Sequence, residues 1–140
     1  MAYNQTLIVS NNSAVWKGFP KCNRVVGSPF DVMRRVRDLV HMGYHLRVHP
    51  LTGSIRLLRN PYRTVVLSYP ETGVDSGDLL HLEEALWRLS QLDFGTTPES
   101  TFSDYQSIDL ELLRAFFGEK TGGLRTGHND WVIVGKKPWQ

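Results

Sequence analysis

Short apolar runs and stretches of helical period alternate along the 140 residues. Thr6–Ser10 (TLIVS) is a β-rich apolar run that ends in polar turn formers, and it predicts a buried strand. Residues 22–27 (CNRVVG) read as a second strand. A dense helix start follows. Ser28 suits an N-cap, Pro29 the first helical position, and Asp31 can return a capping-box bond. Val32, Met33, Val36, Leu39 and Val40 recur at helical spacing, and Gly43 stops the helix as its C′ residue. Tyr44, Leu46 and Val48 then alternate with His45, Arg47 and His49, which is strand periodicity. Residues 55–58 predict a short antiparallel strand returned by a Thr52-Gly53 turn. Residues 63–69 predict a central strand, because Val65, Val66 and Leu67 are contiguous. Leu79, Leu82, Leu86 and Leu89, with Ala85 and Leu92, mark an amphipathic helix; Asp75, Ser76 and Asp78 favour its start and Gly95 closes it. Residues 96–104 read as a linker. A last helix spans 105–117 with Ile108, Leu112 and Phe116 on its apolar face. Residues 131–134 (WVIV) suit an extra strand or a docking tail.

Strands interleaved with helices imply an α/β fold. The expected architecture is a single layered domain, a mostly parallel (mixed) sheet flanked by helices. It is Rossmann-like without a dinucleotide motif, since no G-x-G-x-x-G follows the first strand. Residues 1–95 would form the α/β core, with 96–140 a C-terminal helix and tail packed on the same domain.

Composition narrows the class. Cys22 is the only cysteine, so neither an internal disulfide nor a cysteine-rich metal cluster can form. The start lacks the basic and apolar regions of a signal peptide, and no stretch approaches the ~20 apolar residues of a membrane span. A cytoplasmic protein is expected. The net charge of +2 conceals a split. Residues 1–70 carry ten Lys/Arg against Asp31 and Asp38, whereas residues 71–119 carry eleven Asp/Glu against Arg88 and Arg114. The arginines suit a solvated, ion-paired surface or an anion site. A nucleic-acid surface is disfavoured, because no long basic run or aromatic–basic interleaving is present.

His41, His45 and His49 fall four residues apart. His41 lies in a last helical turn and the others on a strand, where they stand ~13 Å apart at about 3.3 Å per residue. One metal with bonds near ~2.1 Å cannot take both, so no metal site is expected. No cofactor is expected either. Ligands of open α/β sheets bind beyond the carboxyl ends of strands. If the first and third strands are neighbours, Asn11, Asn12, His49, Thr52 and Ser54 converge there around Gly53, and Arg56 or Arg59 could add charge. Such a set suits a carboxylate or phosphate. The structural alternative is Asx-turns at Asn11 and Asn12 and a plain hairpin at Thr52-Gly53. Residues 118–121 (GEKT) lack the earlier glycine of a phosphate loop, and Glu83 and Glu84 face different directions on one helix. The four tryptophans read as packing residues.

Three blocks carry a family resemblance. These are Asn11-Asn12, Val36-Arg37-Asp38, and His49 through Ser54 (HPLTGS) followed by Pro61-Tyr62. They resemble the GrdX family pattern T-N-N-P, V-R-D, H-P-L-[ST]-G-S and T-P-Y. The departures are Ser10, Ser13 and Asn60. The resemblance covers roughly residues 5–93. That family is encoded beside the glycine, sarcosine and betaine reductase genes of anaerobic amino-acid-fermenting bacteria, and its activity is unassigned. The resemblance therefore implies a cellular context rather than a reaction. It also implies that the Asn and His-Pro loops act together. The leading expectation is an accessory protein binding a small carboxylate or acyl phosphate through Asn11, Asn12, His49, Thr52, Gly53, Ser54 and Tyr62. The alternatives are an assembly factor that contacts reductase subunits without a small-molecule site, and a small hydrolase or acyl-transfer enzyme using His49. No catalytic set is legible. A homodimer with the C-terminal helix or tail at its interface is also expected.

Overall fold

The computed structural model describes residues 6–48, 59–70 and 76–118, with the backbone of 123–125 and 131–133. In chain order the elements are β1 (Thr6–Ser10), α1 (Ser13–Gly18), β2 (Asn23–Arg24), α2 (Pro29–His41), β3 (His45–Leu46), β4 (Thr64–Ser68), α3 (Ser76–Ser90) and α4 (Phe102–Gly118). Two short strands, β5 (Gly123–Arg125) and β6 (Trp131–Ile133), follow.

The main sheet has the order β2-β1-β4-β3. It is mixed: β2 runs parallel to β1, and β4 runs antiparallel to both β1 and β3. The fold is thus α/β, a single sheet flanked by helices. The first and third strands are not neighbours, because β4 lies between them. β6 pairs antiparallel with β5 in a separate ribbon.

Period-two alternation on the central strands builds two unlike layers. Val9, Val65 and Leu67 point to one face and pack with Val32, Met33, Val36 and Val40 of α2 and Leu82, Ala85, Leu86 and Leu89 of α3. Ile8 and Val66 point to the other and meet Val15 of α1 and Leu113 of α4, with Cys22 beside them. The α2 start forms as expected. Ser28 Oγ accepts from the Asp31 N–H, and the Asp31 carboxylate accepts from the Ser28 N–H at 2.9 Å. That carboxylate lies where a Cβ at position 27 would go, so only glycine fits there. Gly43, at φ 103°, carries the chain out of α2 after the Met42 cap.

Three expectations need correcting. The apolar face of α4 is rotated from Ile108, Leu112 and Phe116: Asp109 and Leu113 are the buried residues, and Ile108 is 38% exposed. A hydrophobic pattern cannot detect a carboxylate turned inward. Trp87 is not a packing residue; it is 66% exposed on α3. The helix α1 was not anticipated, since six residues are too few for a periodic signal. Residues 96–104, expected as a linker, carry the last residue of one 3-10 turn (Phe94–Thr96), a second turn (Glu99–Thr101) and the start of α4.

Candidate functional site

β1 ends in Ser10-Asn11-Asn12, and the antiparallel register sets Ser10 beside Thr64 at the start of β4. The carboxyl end of β1 therefore meets the segment 59–63 that leads into β4. Both Ser10 and Thr64 point toward α1 and α4, the face where Ile8 and Val66 also lie.

Asn11 holds the rim of this site. Its Nδ2 donates to the carbonyls of Gly27 and Pro61, both at 2.9 Å, and its Oδ1 accepts from the Arg63 N–H at 2.8 Å. The amide thus brackets Tyr62 on both sides. Asn60 makes the next turn: its Oδ1 accepts from the Tyr62 N–H and its Nδ2 donates to the Tyr105 carbonyl, both at 2.9 Å. The Tyr62 ring meets Phe102 edge-on, 6.3 Å between centroids.

Asn12, fully buried, has three tasks. Its Oδ1 caps α1 by accepting from the Ala14 N–H at 3.0 Å. Its Nδ2 donates to the Gln106 carbonyl and to Asp109 Oδ2, each at 3.0 Å. Asp109 Oδ2 also accepts from the Thr64 hydroxyl at 2.6 Å. The single Thr64 proton is spent on that carboxylate, so the 2.8 Å contact between Ser10 Oγ and Thr64 Oγ1 must be donated by Ser10. Ser10 Oγ in turn accepts from the Asn12 N–H at 3.0 Å. The result is a directed chain from the Asn12 backbone through two hydroxyls to a buried carboxylate. Burial raises the Asp109 pKa; the bonds from Thr64 and Asn12 and the charge of Arg63 oppose that rise. Burial likewise lowers the pKa of Arg63, with Asp109 opposing.

Of the sequence-predicted site residues, Asn11, Asn12 and Tyr62 come together at this end of the sheet. His49, Thr52, Gly53 and Ser54 lie outside the described residues, as do Arg56 and the strand expected at 55–58. β3 runs parallel to β1, so the chain leaves it, through Arg47 and Val48, toward the same end. A cleft of about 190 Å³ opens there beside Asn60, lined by Arg59, Asp93, Phe94, Thr96, Thr97 and Tyr105 among others. Asp93 is engaged in its own turn, accepting from the Gly95 N–H at 2.9 Å. Arg59 is exposed, and it shares the cleft with Thr97 and with Thr96, whose hydroxyl donates to the Asp93 carbonyl at 3.0 Å.

Sequence reasoning missed Asn60, Asp109 and Asp78. An Asn-Pro-Tyr stretch is an Asx-turn signal, so Asn60 was legible in principle. Asp109 was legible only as an acid amid apolar helix positions. Asp78 lies beside β3, the last strand in the order of the described sheet: its carboxylate accepts from the Leu46 N–H at 3.0 Å and lies 3.8 Å from His45 Nδ1. At the far side of the sheet, Cys22 is buried, and burial pushes its thiol up to about 11.

Comparison with known proteins bears on the same residues. The model of the GrdX-like protein family matches residues 7–117. The chain belongs to the GrdX-like family. No curated protein and no solved structure matches it. The family match runs past the 5–93 span of the recognisable blocks and takes in α4, so the helix carrying Asp109 belongs to the GrdX-like unit. Among the described residues, no helix is long and apolar enough to cross a membrane.

Proposed function

We propose that this GrdX-like chain is a cytoplasmic accessory protein of an amino-acid reductase system, and that it binds a small carboxylate or acyl phosphate at the carboxyl end of β1 and β3. The observation that carries this reading is the cleft beside Asn60, where a guanidinium and two threonines lie next to the strand ends. Arginine's fork matches a carboxylate or phosphate, and the Thr97 hydroxyl can add a donor beside it. Asn11 and Asn12 act here as the frame. Both protons of each amide are already committed within the fold, so they hold the rim and leave direct contact to Arg59 and the His49–Ser54 block.

Thermal-shift titration with glycine, sarcosine, betaine, acetyl phosphate and inorganic phosphate tests the proposal. A bound ligand at 100 times its dissociation constant stabilises by about 2.7 kcal/mol. Stabilisation by at least one of these compounds, lost in Arg59→Gln and reduced in His49→Ala, is the expected result. No shift with any compound removes the ligand role.

A second reading, an assembly factor without a small-molecule site, is favoured by that commitment of the Asn amides. Capture of a reductase subunit that survives both His49→Ala and Arg59→Gln would select it.

A further inference from the structure

The cleft beside Asn60 carries two opposite charges that the fold leaves unjoined. Among the described residues that line it, Arg59 and Asp93 are the charged ones. Arg59 lies on the segment leading into β4 and Asp93 follows α3, so separate parts of the chain bring them to one opening. Among the described residues neither takes part in an ion pair, with the other or with a third group. Glu99 and Asp104 are exposed and near in sequence, but they do not line the cleft.

The backbone under each charge is braced. One Asp93 carboxylate oxygen accepts from the Gly95 N–H at 2.9 Å, and the Asp93 carbonyl accepts from the Thr96 hydroxyl at 3.0 Å. Among the described residues the other carboxylate oxygen makes no hydrogen bond. Arg59 precedes Asn60, whose amide binds the Tyr62 N–H and the Tyr105 carbonyl, both at 2.9 Å. Tyr105 itself lines the cleft. Groups held in this way lose less freedom when a ligand binds. The cleft is also small. Its volume of about 190 Å³ lies below the ~300–1,000 Å³ of pockets for drug-sized ligands. At ~30 Å³ per liquid water it equals about six waters, which suits a ligand of few heavy atoms rather than a nucleotide.

We infer that this cleft takes a small zwitterion, an amino acid whose carboxylate meets Arg59 and whose ammonium meets Asp93. The inference rests on the ligand role proposed above for the same cleft, and it narrows the ligand to a compound carrying both charges. Arginine's fork binds the carboxylate, and the Thr97 hydroxyl adds a donor. The ammonium offers its N–H donors to the second Asp93 oxygen, and Phe94 and Tyr105 add aromatic surface that favours a cation. A simple anion such as acetate or phosphate meets Arg59 but brings a like charge to Asp93. A simple cation meets Asp93 but brings a like charge to Arg59. A ligand with both charges satisfies both groups.

Calorimetric and thermal-shift titrations of the full chain test this. The probes are glycine, β-alanine and γ-aminobutyrate, which step the distance between the charges, against acetate, methylammonium and inorganic phosphate. At least one of the three zwitterions should bind roughly tenfold or more tightly than each singly charged probe and than phosphate. Asp93→Asn keeps an oxygen for the Gly95 N–H and removes the charge. It should weaken that zwitterion by roughly tenfold or more without weakening acetate. Arg59→Gln should weaken both. Glu99→Gln and Asp104→Asn, outside the lining, should leave zwitterion binding unchanged. Circular dichroism and melting without ligand check the fold of each variant, and the ranking of probes on the wild type decides the matter even where a variant does not fold. Acetate or phosphate bound as tightly as every zwitterion overturns the inference and leaves the ligand role standing. Zwitterion binding that survives Asp93→Asn, or that falls equally in Glu99→Gln or Asp104→Asn, also overturns it. Silence from all the probes removes the ligand role and the inference with it.

Discussion

The two faces of the central sheet are built from the same strands and obey different rules. Toward α2 and α3, Val9, Val65 and Leu67 meet a continuous aliphatic layer. Toward α1 and α4, Ile8 and Val66 cover only part of the area, and Ser10, Thr64, Asn12 and Asp109 fill the rest with a hydrogen-bonded chain. The first face is held by apolar area removed from water, at about 25 cal/mol per Å². It should tolerate swaps that conserve volume. The second is held by satisfied polar groups, each costing about 1–3 kcal/mol if its partner is deleted. Small changes of donor or acceptor should matter there more than changes of size.

The largest expected effect lies on the dry face. Leu67 is fully buried in β4, and Leu67→Ala should lower unfolding free energy by about 3–4 kcal/mol in urea titrations, with Leu67→Met costing less than about 1.5. A small loss for alanine would mean that this layer is not close-packed. On the polar face, Asn12→Ala removes the α1 cap and two donors, and about 2–3 kcal/mol should be lost. Asn12→Asp keeps the cap but sets a second carboxylate against Asp109. At neutral pH it should be worse than alanine, and acidification should narrow that gap. If Asn12→Asp is instead tolerated at neutral pH, the donor chain to Asp109 is not what holds α4.

A pH series sharpens the contrast further. Burial raises the Asp109 pKa, so the folded protein keeps a proton that the unfolded chain releases near pH ~3.9. The stability contributed by this group is full below that unfolded value and is lost as pH rises through the raised folded value. Asp109→Asn is neutral throughout and lacks that decline. Wild-type minus variant stability should therefore fall as pH climbs from about 4, and a flat difference would show the carboxyl to be unperturbed. The smallest effect is the control. Ile108→Ala, at a position exposed on α4, should change stability by no more than about 0.5 kcal/mol, whereas a loss near 2 would restore the helix face that periodicity alone suggested.

Much of the framework is legible without coordinates. Thr6–Ser10 as a strand, the Ser28–Asp31 capping box, the Gly43 exit and the leucine face of α3 all match the structure. Each rests on residues within one or two turns of one another, where propensity and sterics act directly. The candidate site was legible only in outline. Asn11 and Asn12 stood out as residues, but the apparent convergence of the first and third strands assumed that they were neighbours. β4 separates them, and its own approach segment, with Arg59, Asn60 and Tyr62, becomes the nearer rim.

The sequence by itself determined the local periods, the caps and the identity of the loops that carry polar chemistry, because these depend on contacts within a few residues. The tertiary structure decided what those polar groups do. Ser10 meets Thr64 across 54 positions and Asn12 meets Asp109 across 97. No local signal chooses such partners. The choice follows from β4 pairing antiparallel between β1 and β3, which brings Thr64 to the end of β1. It follows equally from α4 settling on the face where a buried carboxylate finds the donors it requires, since a buried charge is tolerated only where its hydrogen bonds are made.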